Sequence, residues 1–403
     1  MRHLIASAAL AGAVGATSTL AATGVIPDPP SIASKSHILM DAETLYVMAE
    51  NDADAPLPPA SLTKIMTSYI AASELASGRI ATDDDVPISE KAWRTGGSKM
   101  FVRVGTTVKL SDLLRGIVVQ SGNDASVAVA EYIGGGEDAF ADMMNHEARV
   151  LDLTSTRFVN ATGLPDDGHH SSARDMAILS AALIKRFPDH YRLYAEKSFQ
   201  YGEIERPQYN RNKLLWRDKS VDGVKTGLTE AAGYCLVASA LREGTRLIAV
   251  VMGAESDEQR TRDAQKLLAY GFRYFQTREL FAADELVASP PVWYGTVDSV
   301  DVTVREPVRV TVPRGHAAKV AAVIDLPQDL EAPIAPGDAV GTLRVALDGE
   351  VLLERPLLAR TEVPEAGFFA KLWDGVELMV KDLFGGDSPE VQPPADEGQP
   401  APQ

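Results

Sequence analysis

Val221-Asp222-Gly223-Val224-Lys225-Thr226-Gly227 begins a run in which three strands come close together, Val221–Thr226, Tyr234–Leu241 and Arg246–Val251. Working outward, two more strands stand near the start of the chain. They are Ile38–Met40 and Leu45–Met48, separated by the polar turn Asp41 to Thr44. Between these groups the pattern is helical. One helix opens at Ser61 and buries Ile65, Met66, Tyr69 and Ile70; others cover Leu110–Gln120, Asp124–Ile133, Glu137–Leu151 and about Arg174 to Lys185. A last helix, rich in Leu267, Leu268, Phe272 and Phe275, follows the third late strand. Strands at both ends of a helical middle imply one mixed α/β unit whose sheet is completed by regions far apart in sequence.

After Phe281 the character changes. Val297–Val304, Val308–Val312, Lys319–Ile324, Val340–Leu347 and Val351–Leu358 alternate apolar and polar residues. Asp348-Gly349 between the last two is a two-residue hairpin signal. This predicts a small all-β domain over 282–363, behind a first domain over 28–281. Next, Phe368, Phe369, Leu372, Trp373, Val376, Met379, Val380, Leu383 and Phe384 form one helical stripe. An amphipathic helix over 365–385 is expected, of a kind that lies in a membrane surface. Residues 387–403, with five prolines and four acids, predict a disordered tail. At the other end, Arg2, the apolar run Leu4 to Val14 and the small residues Ala16 to Ala22 read as a signal peptide cut near residue 22.

Composition narrows the function. Of 403 residues, 39 are Lys or Arg and 56 Asp or Glu, a net charge of −17 that disfavours nucleic-acid binding. A single cysteine, Cys235, excludes an intramolecular disulfide framework and a cysteine-rich zinc module. No HExxH pair is present, and no cofactor is expected.

Three short motifs carry chemistry. In Ser61-Leu62-Thr63-Lys64 the hydroxyl and the amine lie three residues apart, on one face of a helix. Serine is a weak nucleophile until a neighbouring base takes its proton. Lysine serves as that base only when burial, a second cation or a helix N-terminus lowers its pKa. Ser121-Gly122-Asn123 breaks an otherwise continuous helical run, in a position to offer a hydroxyl and a carboxamide to a cleft. Lys225-Thr226-Gly227 ends a strand, where glycine permits close approach and Lys225 supplies a second cation. The separations are 60 residues from Ser61 to Ser121 and 104 from Ser121 to Lys225.

Together these motifs resemble the set found in penicillin-binding proteins and β-lactamases. The chain is similar in particular to low-molecular-mass penicillin-binding proteins of the D-alanyl-D-alanine carboxypeptidase family with a β-rich second domain. The resemblance extends through Ile38 to Ala42, Pro59 to Thr67, Gln120 to Ala125, Ser171 to Met176, Val221 to Gly227, Ala232 to Tyr234 and Pro364 to Phe369. It implies an α/β (α+β) β-lactamase/transpeptidase-like domain with an antiparallel sheet, then the all-β domain and terminal helix.

It also implies roles. Ser61 is the acyl-accepting nucleophile, Lys64 its base, and Ser121 a relay to the departing amine. Asn123, Lys225, Thr226 and Gly227 hold substrate. The backbone N–H groups of Ser61 and Leu228 form the oxyanion hole. Some relatives carry histidine where this chain has Leu228, so a side-chain contribution there is lost. Arg260 matches a position that would face the substrate's terminal carboxylate. The implied partners are peptidoglycan stem peptides and, as covalent inhibitors, β-lactams, at the periplasmic face of the inner membrane. The rival readings are a β-lactamase of the same fold and a catalytically silent peptidoglycan binder. The loop Gly163 to Ser172 holds Asp166, Asp167, His169 and His170 but no glutamate to serve as a deacylating base, which disfavours the first. The intact motifs disfavour the second.

Overall fold

The computed structural model describes residues 26–202 and 205–367. The expected signal peptide, nearly all of the terminal helix and the acidic tail lie outside the described residues.

Strands β1 (Ser36–Asp41), β2 (Val47–Asn51), β3 (Val221–Thr229), β4 (Gly233–Arg242) and β5 (Thr245–Ala254) form one sheet in the order β2-β1-β5-β4-β3. Every neighbouring pair is antiparallel. Alternation along each strand divides the side chains between two cores. Ile38, Met40, Ile248 and Val250 face the helical middle and pack with Ile65, Met66 and Met176. Leu39, Leu247, Ala249 and Val251 face the opposite way, against Leu267 and Leu268. The helices that matter for the site are α1 (Lys64–Ala76), α2 (Leu110–Arg115), α3 (Asn123–Gly134), α4 (Glu137–Val150), α5 (Ala173–Arg186) and α6 (Asp257–Tyr274). A third core, around Val86, Leu110, Leu113, Ile117, Val127 and Val129, fills the side away from the sheet. Strand β3 is therefore an edge strand that looks across a cleft at helical structure.

The second unit is all-β. A five-stranded sheet runs Leu286–Ala288, Val302–Thr303, Glu350–Ala359, Ala339–Leu347, Val320–Asp325. Asp348 and Gly349 both have positive φ (50° and 89°) and join paired Leu347 and Glu350, the geometry expected of a tight hairpin. Three expectations shift. Helix α6 stops at Tyr274, and Phe275–Phe281 becomes a strand paired with Val308–Pro313, so the second unit starts at Phe275 and not at 282. Within Val297–Val304 only Val302–Thr303 has ladder partners; the alternation arises because Val300, Val302 and Val304 are buried. At the edge of the expected terminal helix, Glu365 bridges Gly295 and Ala366 donates its N–H to Tyr294, so these residues are extended against the β unit.

Asp41 ties the two units together. Its fully buried carboxylate accepts from the N–H groups of Glu43 (2.8 Å) and Thr44 (2.9 Å) and from Thr277 Oγ1. Thr44 Oγ1 in turn meets Thr311 Oγ1 at 2.6 Å. Replacing Asp41 by alanine leaves three donors without their acceptor and is expected to cost about 3 kcal/mol. Urea unfolding of Asp41→Ala against wild type measures it, and a loss below about 0.5 kcal/mol contradicts the assignment.

Candidate active site

The chain reaches Ser61 through a tight turn. Ala60 has φ of 49°, and Ala60–Thr63 is a 3-10 turn that leads into α1 at Lys64. In such a turn residues i and i+3 eclipse. Ser61 and Lys64 therefore stand in line, with Lys64 Nζ 3.1 Å from Ser61 Oγ. Edge strand β3 closes on this turn. A Cβ at Gly227 would lie 3.0 Å from the Pro59 carbonyl oxygen and 3.2 Å from the Ser61 nitrogen, so glycine permits the approach.

Lys64 is only 1% exposed, and its amine has three partners: Ser61 Oγ, Asn123 Oδ1 at 2.6 Å and the Thr162 carbonyl at 2.5 Å. Burial pulls its pKa down to about 7, aided by the Arg211 charge and opposed by Asp124. Lys225 is also buried, donates to the Thr226 carbonyl (3.1 Å), and is driven well below its usual range by burial and then by Lys64, Arg211 and Arg260. Two buried amines and a guanidinium in one region disfavour a full set of protons.

The break between α2 and α3 faces this cluster. The predicted helix Leu110–Gln120 is α-helical only to Arg115; Gly116–Gln120 widens into a π turn, and Ser121 adopts φ of 62°. Ser121 Oγ is buried without a hydrogen-bond partner among the described residues. Asn123 bridges, with Oδ1 accepting from Lys64, Nδ2 donating to the Gly96 carbonyl (2.7 Å) and its backbone N–H to that of Ser98 (2.7 Å). The buried Asp124 carboxylate accepts from the N–H groups of Met100, Phe101 and Val102. These contacts hold the segment 96–102 as the outer wall.

The resulting cavity, about 410 Å³, is lined by Ser61, Asn123, Phe101, Leu228, Thr229 and Arg211 among others. Leu228 stands at its rim, 53% exposed. Lys64, Ser121, Lys225 and Thr226 are buried around it and do not form its wall. Arg260 departs from expectation. It is 5% exposed, and its guanidinium is engaged by Asp257, by the carbonyls of Gly227 (2.8 Å) and Cys235 (3.1 Å), and by the Tyr234 ring. A helix start beneath the sheet turns this arginine inward as a strut for the end of β3. Beside Lys99, whose amine donates to the Trp93 carbonyl (2.7 Å), the wall carries a second cation that the motifs did not flag, Arg211. It donates to Ser98 Oγ at 2.8 Å, and no carboxylate among the described residues pairs with it. An arginine in a connecting loop carries no periodicity or spacing signal, so only the fold reveals it.

A hydroxyl beside a neutralisable amine, an orphaned second hydroxyl and a free-facing cation, on the edge of an antiparallel sheet, define a serine/lysine acyl-transfer site. Comparison narrows the class. Residues 23–256 match the family model described as D-alanyl-D-alanine carboxypeptidase, and residues 275–365 match that of the penicillin-binding protein 5 C-terminal domain. The D-alanyl-D-alanine carboxypeptidase DacA of Escherichia coli is 42% identical over 369 residues, covering 90% of this chain and 91% of that protein. The crystal structure of penicillin binding protein 5 from Haemophilus influenzae superposes with a TM-score of 0.79 at 40% identity, over 85% of this chain and all of that one. Penicillin-binding protein D2 of Listeria monocytogenes, in its ampicillin-bound form, matches 61% of this chain and all of its own at 27% identity and a TM-score of 0.56. The chain belongs to the D-alanyl-D-alanine carboxypeptidase family.

Proposed function

We propose that the chain is a serine-type D-alanyl-D-alanine carboxypeptidase that trims the terminal D-alanine from peptidoglycan pentapeptide stems. The observation that carries this is the Ser61–Lys64 pair, 3.1 Å apart, with an amine whose pKa burial lowers to about 7. In the reaction, Lys64 Nζ takes the Ser61 proton as Oγ bonds to the carbonyl carbon between the two D-alanines. The backbone N–H groups of Ser61 and Leu228 receive the negative charge that develops on the carbonyl oxygen. The C–N bond then breaks, and Ser121 passes the proton from Lys64 to the departing amine of D-alanine. Water hydrolyses the acyl-enzyme, returning Ser61 and the shortened stem. The family resemblance gives Lys225, Thr226 and Gly227, on edge strand β3 just behind the cavity wall, the task of holding the substrate backbone, and Asn123 fixes the base.

Arg211, on the cavity wall, takes the terminal carboxylate in the place first given to Arg260; its planar fork suits a carboxylate. A β-lactam presents a comparable amide whose leaving group stays tethered, so it traps the same serine. The ampicillin-bound Listeria relative supports this reading. The two rival functions are not favoured: the 163–172 loop lacks a glutamate, and the nucleophile and base are in contact.

Export and membrane docking form the outer part of the proposal. The N-terminal segment reads as a signal peptide, and the 368–384 stripe would rest on the periplasmic face of the inner membrane. No helix among the described residues is long and apolar enough to cross a membrane.

Wild-type protein is expected to release D-alanine from a pentapeptide and to be labelled by fluorescent penicillin. Ser61→Ala is expected to do neither, and Lys64→Ala to lose about 10²–10⁴-fold in rate. Because the neutral amine is the base and its pKa is lowered to about 7, acylation should fall as pH drops below about 7 and level off above it. A rate that stays flat from pH 5 to 9 contradicts the assignment. Arg211→Ala is expected to raise KM for a peptide with a free C-terminal carboxylate by tenfold or more, about 1.4 kcal/mol, and to leave the amidated peptide unaffected. Steady-state kinetics on the two peptides separates the cases. Finally, a truncation ending at Glu365 should stay in the soluble fraction where the full chain sediments with vesicles; co-sedimentation of both removes the anchor.

A further inference from the structure

The loop between Arg157 and Ser171 holds a buried histidine that the chemistry above does not use. Its ends are closed by reciprocal backbone bonds between Arg157 and His170 and between Leu57 and Ser171. The turn before α1 and the first turn of α1 press into it. Thr67 Oγ1 donates to the Ala161 carbonyl (2.7 Å), and Lys64 Nζ to that of Thr162 (2.5 Å). Gly163 leaves no slack, since a Cβ there would lie 1.8 Å from the Ala60 oxygen and 2.8 Å from Thr63 Oγ1.

His169 fastens this contact. It is 6% exposed and packs edge-on to Phe158, ring centroids 5.9 Å apart. The Val159 N–H donates to its Nδ1 (3.0 Å), which places the ring proton on Nε2. Nε2 then donates to Thr63 Oγ1, 2.8 Å away, on the residue next to Lys64. With both nitrogens engaged and the ring buried, His169 is not placed to activate a deacylating water.

We propose that His169 is a positioning residue for the base: by clamping its loop to Thr63 it holds the Thr162 carbonyl against the Lys64 amine and keeps water from that amine. The inference rests on Lys64 acting as the base for Ser61. The charged groups that act on Lys64 are Arg211 and Asp124, Lys64 itself acts on Lys225, and those acting on His169 are His170 and Lys64. Burial first, then His170 and Lys64, push the His169 pKa down to about 4, so the clamp is neutral across the working range.

The test follows acylation of Ser61 by fluorescent penicillin from pH 5 to 10, with a thermal melt of each variant. His169→Phe keeps the ring and removes both hydrogen bonds. It is expected to lower the plateau rate at least tenfold and, by admitting water to Lys64, to move the midpoint of the profile up by about one pH unit. His169→Gln, which can still accept from Val159 or donate to Thr63, should recover part of both effects. Thr63→Val removes the bond from the other side, so it should give the same shift and combine non-additively with His169→Phe. It also carries the test if His169→Phe fails to fold. A folded His169→Phe or Thr63→Val with the wild-type midpoint and rate overturns the clamp while leaving the function intact. A rate loss with an unmoved midpoint, matched to the loss of melting temperature, assigns His169 to stability alone and also overturns it. If wild type itself is not acylated at Ser61, both readings fall.

Discussion

A buried lysine amine, its pKa lowered to about 7, is held against one hydroxyl, and most of the first domain is arranged around that contact. Lys64 is 1% exposed, in a site already containing Lys225 and Arg211. Taking a cation out of water is costly, and more so beside other cations, so the proton is what gives way. The three partners of Nζ then decide where the amine points. One is the Ser61 hydroxyl, one is Asn123 from the far wall, and one is Thr162 from the loop below. The sign of the linked stability effect follows. Unfolded Lys64 binds its proton below its ordinary 10.5, whereas folded Lys64 does so only below about 7. The unfolded state therefore holds more protons between those values, and as pH falls through this window the residue increasingly disfavours folding. Burial of Lys64 therefore costs stability and leaves an amine that changes charge near neutrality.

Much of this was legible before any coordinates. The near-continuous apolar strands on either side of a helical middle point to one sheet buried on both faces, and side chains do pack on each side of it. Its antiparallel order is what the family resemblance implies. Asp348-Gly349 gave its hairpin, since both residues tolerate the positive φ that such a turn needs. Ser61 and Lys64 were paired by spacing alone, and the observed 3-10 turn aligns them more directly than an α-helix would. The less legible features have a common physical cause. Phe275 continues the apolar pattern of α6, yet its backbone pairs across to Pro313, a partner that one-dimensional periodicity cannot report. Arg260 and Arg211 look alike in sequence. Which one turns inward depends on Asp257 and the carbonyls of Gly227 and Cys235 meeting the first. His169, in a polar loop, carries no burial signal in sequence, yet Thr63 and Val159 engage its ring from either side.

The remaining question is why residues so distant in sequence form one precise cleft, and the glycines answer it. Gly227 lets edge strand β3 approach the Ser61 turn, and Gly163 lets the lower loop press against Ala60. Gly97, at φ of 81°, leaves room for Asn123 Nδ2, which a Cβ would approach to 2.6 Å. Each close approach joins a different segment to Ser61 or to the groups around it. None of these segments forms the pocket alone, because the contacts of the Lys64 amine come from three separate stretches of chain. The chemistry is therefore coupled to the complete fold of the first domain. Arg260 fits this logic better as a strut than as a ligand: by holding the Gly227 carbonyl from behind, it fixes the strand end whose next residue, Leu228, supplies the rim of the cavity.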